Sequence, residues 1–177
     1  GGGVYQYGMA RLPSSYESVF HRDGKTATVD VVLHKPSGVI SIRTNGNSDG
    51  AMTTRPEDEG AGPDEYTMIM AGLFPLAHVP GAKTVAVIGY GTGMSTAALL
   101  AAPGIERVDT IEIEPAMMEG ARHFRPFTDA NYEDPRSFVI FDDAKSFFAR
   151  SNRKYDIIMS EPSNPWVSGV SSLFTRE

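Results

Sequence analysis

Residues 84–101 read "TVAVIGYGTGMSTAALLA". A short β-branched run enters glycines at positions 89, 91 and 93, and a stretch of small and apolar residues follows. The run is too short for a stable helix, and the glycines forbid its continuation as one. The segment therefore reads as a buried strand, a glycine turn and a helix. Glycine in such a turn permits positive φ and lets a ligand approach the backbone closely. The same rhythm repeats downstream. "RVDTIEIE" is a second strand and "PAMMEGARHF" a helix with Pro115 in its first turn, while "SFVIFD" is a third strand and "AKSFFARS" a short helix. "YDIIMSE" makes a fourth strand. Strands alternating with helices at this spacing imply right-handed parallel βαβ units, with ligands at the carboxyl ends of the strands.

The first third reads differently. "SYESVFH", "TATVDVVLH" and "GVISIRT" are strand-like and are separated by the turn sequences "RDGK" and "KPSG", with a further turn at "TNGNSDG". They predict a small antiparallel sheet over about residues 15–50. "AMTTRPEDEGAGPDE" reads as a loop whose acids are solvated or attract a polycation. "DEYTMIMAGLF" predicts a helix capped by Asp64 and ended by Pro75. The expected division is a β-hairpin region with linker at 1–63 and a Rossmann-like unit at 64–177.

Four adjacent strand ends carry the candidate chemistry. The glycine turn contributes Gly89, Gly91, Thr92 and Gly93. Glu112 closes the next strand, where an acid accepts hydrogen bonds from both ribose hydroxyls of a nucleoside. Asp142 or Asp143, after the third strand, can read an adenine amino group or cap the following helix. Glu161 ends the fourth strand just before Pro162 and Pro165, which suits a reactive acid or a loop-bracing one. The glycine turn holds no Lys or Arg for phosphates, so the expected ligand is an adenosine without a phosphate chain. An S-adenosyl sulfonium fits, because the acidic rim suits a cation.

The chain has a formal net charge of -6, a poor match for a phosphate backbone, so no nucleic-acid partner is expected. It contains no cysteine, which removes thiolate chemistry and disulfides, and His21, His34, His78 and His123 show no metal-ligand spacing. No apolar run reaches membrane-span length and no signal pattern appears at the start. "GGGVYQYGMA" and "SLFTRE" read as cut ends of a longer protein. A sheet lacking its last strands would expose an edge, so the piece is expected either to pair with a second copy or to be a proteolysed form of a longer chain.

"VIGYGTG", "IEIEP", "DDAKSF", "YDIIMSEPSNPW" and "SSLFTRE", in this order, resemble the spermidine synthase (polyamine aminopropyltransferase) family. "VFHRDGKTATVDV" and "SEPSNPWVSGVSSLFTRE" are similar to bacterial spermidine synthase-like domains often fused to membrane segments. The resemblance implies a class I methyltransferase-like Rossmann fold behind a β-hairpin domain, with C-terminal strands missing from this chain. It implies decarboxylated S-adenosylmethionine as donor, no metal, a small-molecule amine as acceptor, and a cytoplasmic setting tethered through membrane segments absent here. Carried over by position, Glu112 matches the ribose acid, Asp143 the adenine-reading acid and Glu161 the catalytic acid; Asn164 and Tyr66 fall at amine-pocket positions. The family's glycine turn usually carries an Asp where this chain has Thr92, and Asn164 replaces an acid. Those departures keep two rivals open: a methyltransferase using S-adenosylmethionine, and a non-catalytic adenosyl- or polyamine-binding domain.

Overall fold

The computed structural model describes residues 12–55 and 63–160. Its first sheet is an antiparallel meander of β1 (Tyr16–Asp23), β2 (Thr28–His34), β3 (Val39–Thr44) and β4 (Asn47–Thr53), in the order β1-β2-β3-β4. The last strand lies where the sequence suggested turn and loop. Its residues NSDGAMT are mostly small and polar, so no alternation of β-branched residues announces it. What makes the strand is the turn before it. Asn45 and Gly46 both take positive φ, 50° and 85°, between the paired residues Thr44 and Asn47. That two-residue Asn-Gly loop has the backbone of a type I′ hairpin, whose twist matches the flanking strands and commits the next residues to pairing.

Helix α1 (Pro63–His78) follows. It runs through Pro75, contrary to the expected stop, and Asp64 lies inside its first turn and not at the cap. Proline near the end of a helix forfeits a single N–H bond, and here the Val79 N–H still donates to the Pro75 carbonyl at 3.0 Å.

The second sheet is parallel throughout. Its strands are β5 (Thr84–Ile88), β6 (Arg107–Glu112), β7 (Ser137–Phe141) and β8 (Ile157–Ser160), in the order β7-β6-β5-β8. Helices α2 (Met94–Leu100), α3 (Pro115–Ala121), the short α4 (Ala130–Glu133) and α5 (Ala144–Arg150) make the crossovers. Strand β5 is apolar on both sides. Val85 and Val87 pack with Leu99, Val108, Ile157 and Met159 on one face, while Ala86 packs with Ile111, Ala144 and Phe147 on the other. A strand covered on both faces reads as a continuous apolar run, which is how β5 looked in the sequence. The chain goes outward from β5 through β6 to β7 and then returns to place β8 on the other side of β5. The crevice beside the carboxyl end of β5 is thus a topological switch point, the usual ligand position in open α/β sheets.

One apolar cluster ties the sheets together. Val29, Val31, Ile42 and Met52 of the first sheet pack with Met68 of α1, Tyr90 and Met94 at the glycine turn, and Met117 of α3. Contact is close where glycines allow it. A Cβ at Gly120 of α3 would lie 3.2 Å from the Phe20 ring and from Val31 Cγ2, and one at Gly72 of α1 would lie 2.8 Å from the Ser95 carbonyl oxygen.

Candidate active site

The glycine turn between β5 and α2 is built as the sequence suggested. Gly89, Gly91 and Gly93 have φ of 87°, 54° and 85°. At Gly93 the requirement is double, because a Cβ would also lie 2.5 Å from Asn131 Nδ2 and 2.8 Å from the Tyr90 ring. Asn131 pins the turn from below, donating to the Gly93 carbonyl at 2.7 Å and to the Tyr90 hydroxyl at 3.0 Å. Gly89 N–H donates to the Ile111 carbonyl, which locks the turn to the end of β6.

Glu112 stands at that end and is buried. Its Oε2 accepts the Tyr90 N–H and its Oε1 the Glu114 N–H, each at 2.8 Å. The carboxylate therefore sits in a fixed orientation against the glycine turn. Burial pushes its pKa up, the two N–H groups pull it down, and the charge of Asp49 raises it further.

The other rim acids are tied to the protein. Asp143 caps α5, its Oδ2 accepting the Ser146 N–H at 2.8 Å, and that bond holds its carboxyl below the usual range. Asp142 accepts its neighbour's N–H at 2.9 Å and is paired with Arg150. Both lie beside Glu112, since the Asp142 N–H donates to the Glu112 carbonyl at 3.0 Å. Of the two readings open for Asp143, the helix cap is the contact observed.

Thr92 turns inward. It is fully buried, and its hydroxyl donates to Met68 Sδ at 3.0 Å. Only its backbone can serve a ligand in this arrangement. Tyr66 is 60% exposed on α1, about half a turn of helix away from Met68, and so points away from the glycine turn. Strand β8 ends at Ser160, level with Ile88. Glu161 and Asn164, which follow it, lie outside the described residues, so their expected roles carry forward without geometry.

Two acids that the sequence reading passed over, Glu114 and Asp49, lie near the site, and Glu65, expected as a solvated or polycation-attracting loop acid, is instead buried in the first turn of α1. Glu114 caps α3 by accepting the Ala116 N–H at 3.0 Å and reaches across to the β1–β2 turn. There it takes the Thr26 N–H at 2.6 Å, the Thr26 hydroxyl at 2.8 Å and the Ala27 N–H at 3.2 Å. Against desolvation, these donors hold Glu114 below the ordinary glutamate range. Glu65 of α1 accepts the Thr53 N–H at the end of β4. Asp49 of β4 is electrostatically coupled to Glu112 and bonded by Thr44. Only the Asn-Gly turn could have signalled Asp49, by implying a partner strand after it.

Among the described residues no group of three His, Asp or Glu side chains is placed to hold a metal, and no helix is long and apolar enough to cross a membrane. Putrescine N-methyltransferase 2 of Nicotiana attenuata is 31% identical over 154 residues, covering 86% of this chain and 39% of that protein. A polyamine aminopropyltransferase of Clostridium perfringens is 33% identical over 129 residues, covering 73% of this chain and 44% of that protein. The chain thus spans about two-fifths of the length of the curated relatives it matches. In structure, a spermidine synthase in complex with the transition-state analogue AdoDATO superposes with a TM-score of 0.72 at 21% identity, covering 89% of this chain and 50% of that one. Spermidine synthase from Thermotoga maritima gives 0.66 at 20% identity, covering 81% and 47%. Both share the fold. The profile of the spermine/spermidine synthase domain matches residues 64–177, the stretch that carries the glycine turn, Glu112 and the rim acids, and the chain belongs to that family.

Proposed function

We propose that this chain is the adenosyl-binding part of an aminopropyltransferase. It would hold decarboxylated S-adenosylmethionine at the switch point and present its aminopropyl group to an amine. The carrying observation is Glu112, a buried carboxylate fixed by the Tyr90 and Glu114 N–H groups beside a glycine turn free of phosphate-binding cations. The residues fit an adenosyl ligand. Glu112 can take the ribose hydroxyls, the turn leaves room for the ligand along its backbone, and Asp142 and Asp143 border the base position. In this reading residues 1–63 form the hairpin unit and linker and 64–177 the Rossmann-like unit.

The bound donor supplies an electrophilic methylene beside a sulfonium. A primary amine arrives protonated at neutral pH, since such amines titrate near 10.4 by analogy with lysine. A carboxylate must therefore orient the ammonium and take a proton before or during attack. Glu161 is assigned that part because it follows directly in sequence on Ser160, the last residue of β8. The amine nitrogen forms the new C–N bond, the C–S electron pair returns to sulfur, and the proton leaves through Glu161. Asn164 would help seat the amine, and Tyr66 would join the pocket only after rotation from its exposed position.

A methyltransferase reading has its own support. The putrescine N-methyltransferase match covers more of this chain than the aminopropyltransferase match does, and Thr92 supplies no charge for a donor amine. Product analysis separates the two. Full-length protein incubated with putrescine and each donor should release methylthioadenosine from the decarboxylated donor. Release of S-adenosylhomocysteine alone would establish methyl transfer, and neither product would leave a binding role.

A further inference from the structure

Residues 90–93 form the tight part of the glycine turn, and the Gly93 N–H closes it on the Tyr90 carbonyl at 2.8 Å. Gly91 and Gly93 both take positive φ there. Glycine has many other conformations open to it, so the turn's own residues do not select this one. Contacts from outside must do so, and one of them grips both ends. The Asn131 amide nitrogen donates to the Gly93 carbonyl at 2.7 Å and to the Tyr90 hydroxyl at 3.0 Å. A carbonyl can only accept, so the nitrogen end of the amide is the end that faces the turn. The residue is itself anchored. Asn131 is the buried residue of α4; its backbone N–H donates to the Thr128 carbonyl at 3.0 Å, and its carbonyl accepts the Ser137 hydroxyl of β7 at 2.9 Å.

Tyr90 carries this grip across the turn. It is fully buried, in the cluster that ties the two sheets together. Its hydroxyl is held by Asn131, while its backbone N–H donates to Glu112 Oε2 at 2.8 Å. One residue thus connects α4 to the carboxylate. The other Glu112 oxygen is held locally, by the N–H of Glu114. The placing of Tyr90 therefore sets how far the carboxylate can rotate.

We propose that Asn131 is a positioning residue of the adenosyl site, acting through Tyr90 to fix the angle at which the Glu112 carboxylate meets the ribose hydroxyls. The inference rests on the adenosyl reading above and adds to it a residue buried beneath the turn. Hydrogen bonds weaken steeply as their angle closes. A carboxylate free to swing pairs poorly with two neighbouring hydroxyls at once. Loss of the Asn131 amide should therefore be felt as lost discrimination between ribose and deoxyribose, beyond any loss of stability.

The test is calorimetry on the full-length protein with methylthioadenosine and with its 2′-deoxy analogue, in wild type, Asn131→Leu and Tyr90→Phe. Wild type should prefer the ribose form by about tenfold or more, the order expected when a carboxylate loses one hydroxyl donor. Asn131→Leu keeps similar bulk without either N–H, and its preference should fall below about threefold. Tyr90→Phe keeps the ring and the Gly93 contact but loses the hydroxyl, so its ratio should lie between the two. It also decides the matter should Asn131→Leu not fold. Ile105→Ala is the control for lowered stability, a buried position at the end of β6 opposite Glu112, and should keep the wild-type ratio. A wild-type ratio in either Asn131→Leu or Tyr90→Phe would overturn the inference and leave the adenosyl reading standing. So would an equal fall in Ile105→Ala, because the effect would then follow stability alone. Failure of methylthioadenosine to bind wild type, or equal binding of the two forms, would remove the ribose role of Glu112 and the inference with it.

Discussion

Replacing Glu114 with alanine tests whether the hairpin sheet is clasped to the parallel sheet by one carboxylate. Four donors converge on it: the Thr26 N–H, the Thr26 hydroxyl, the Ala27 N–H and the Ala116 N–H, at 2.6–3.2 Å. Loss of the α3 cap alone costs about 1 kcal/mol. Hydrogen bonds to a charged group contribute about 1.5–3 kcal/mol each, but Thr26 is exposed and water will replace part of what it loses. The sum expected is about 3 kcal/mol, which for a chain of this size lowers Tm by about 6–12 °C. Urea titration gives the free energy, and the pH dependence checks its origin. Glu114 has a depressed carboxyl pKa in the folded protein. Its contribution is therefore fully present above the unfolded value of about 4.3 and is lost as pH falls through the folded value. Wild type and Glu114→Ala should converge in stability as the pH drops below about 4. A cost under about 0.5 kcal/mol at neutral pH, within the range of ordinary surface substitutions, would refute the clasp.

Other substitutions probe the remaining joints. Gly93→Ala meets both a left-handed backbone and a Cβ contact of 2.5 Å with Asn131, so it should destabilise by about 2 kcal/mol or more in a thermal melt and weaken methylthioadenosine binding. Asp109 is fully buried in β6 and accepts from Arg107 at 2.8 Å, Arg153 at 2.8 Å and the Tyr155 hydroxyl at 2.6 Å. Asp109→Ala should cost about 3 kcal/mol by denaturant titration, because it strands donors built around that charge. Glu112→Gln should abolish the rise in melting temperature that methylthioadenosine gives wild type, and an undiminished rise would remove Glu112 from the site. Thr92→Asp would place a charge at a fully buried position beside Met68, so the expected effect is a lower Tm, with no gain in preference for the decarboxylated donor.

The parallel sheet was legible because its strands announce themselves. TVAVI and RVDTI are short β-branched runs that alternate with helices, whereas the switch point depends on the strand order of the folded sheet, which alternation does not give. Strand β4 was not, because NSDGAMT has neither the apolar alternation nor the β-branched composition that marks a strand. Its place is set by the Asn45–Gly46 turn and by pairing with β3, a tertiary cause that a window of residues does not contain. Helix α1 overran Pro75 for a similar reason: the face carrying Met68 and Gly72 is held against the glycine turn and α2, and that packing outweighs one lost N–H bond.

Site residues divide along the same line. The position of Glu112 was legible because an acid that closes the strand after a glycine turn comes to lie beside that turn, and its carboxylate accepts the Tyr90 N–H there. The side chain of Thr92 was not. As a hydroxyl in a glycine turn it reads as ligand-facing, yet burial against Met68 decides its direction, and Met68 is distant in sequence. Asp49 and Glu114 were hidden by the opposite effect: each looks like a turn or surface acid until the first sheet folds over the second. The hairpin sheet therefore does more than cover one side of the crevice. Through Glu114 and Glu65 it is tied to α3 and α1, and its β4 packs against Thr92 of the glycine turn, so its seating should bear on the shape of that turn. If so, substitutions in the β1–β2 turn should change ligand binding as well as stability. A Cβ on Gly24 would lie 2.3 Å from Glu114 Oε1, so Gly24→Ala should displace that carboxylate and weaken methylthioadenosine binding without touching the site. Unchanged affinity in a Gly24→Ala protein of lowered Tm would confine the clasp to stability alone.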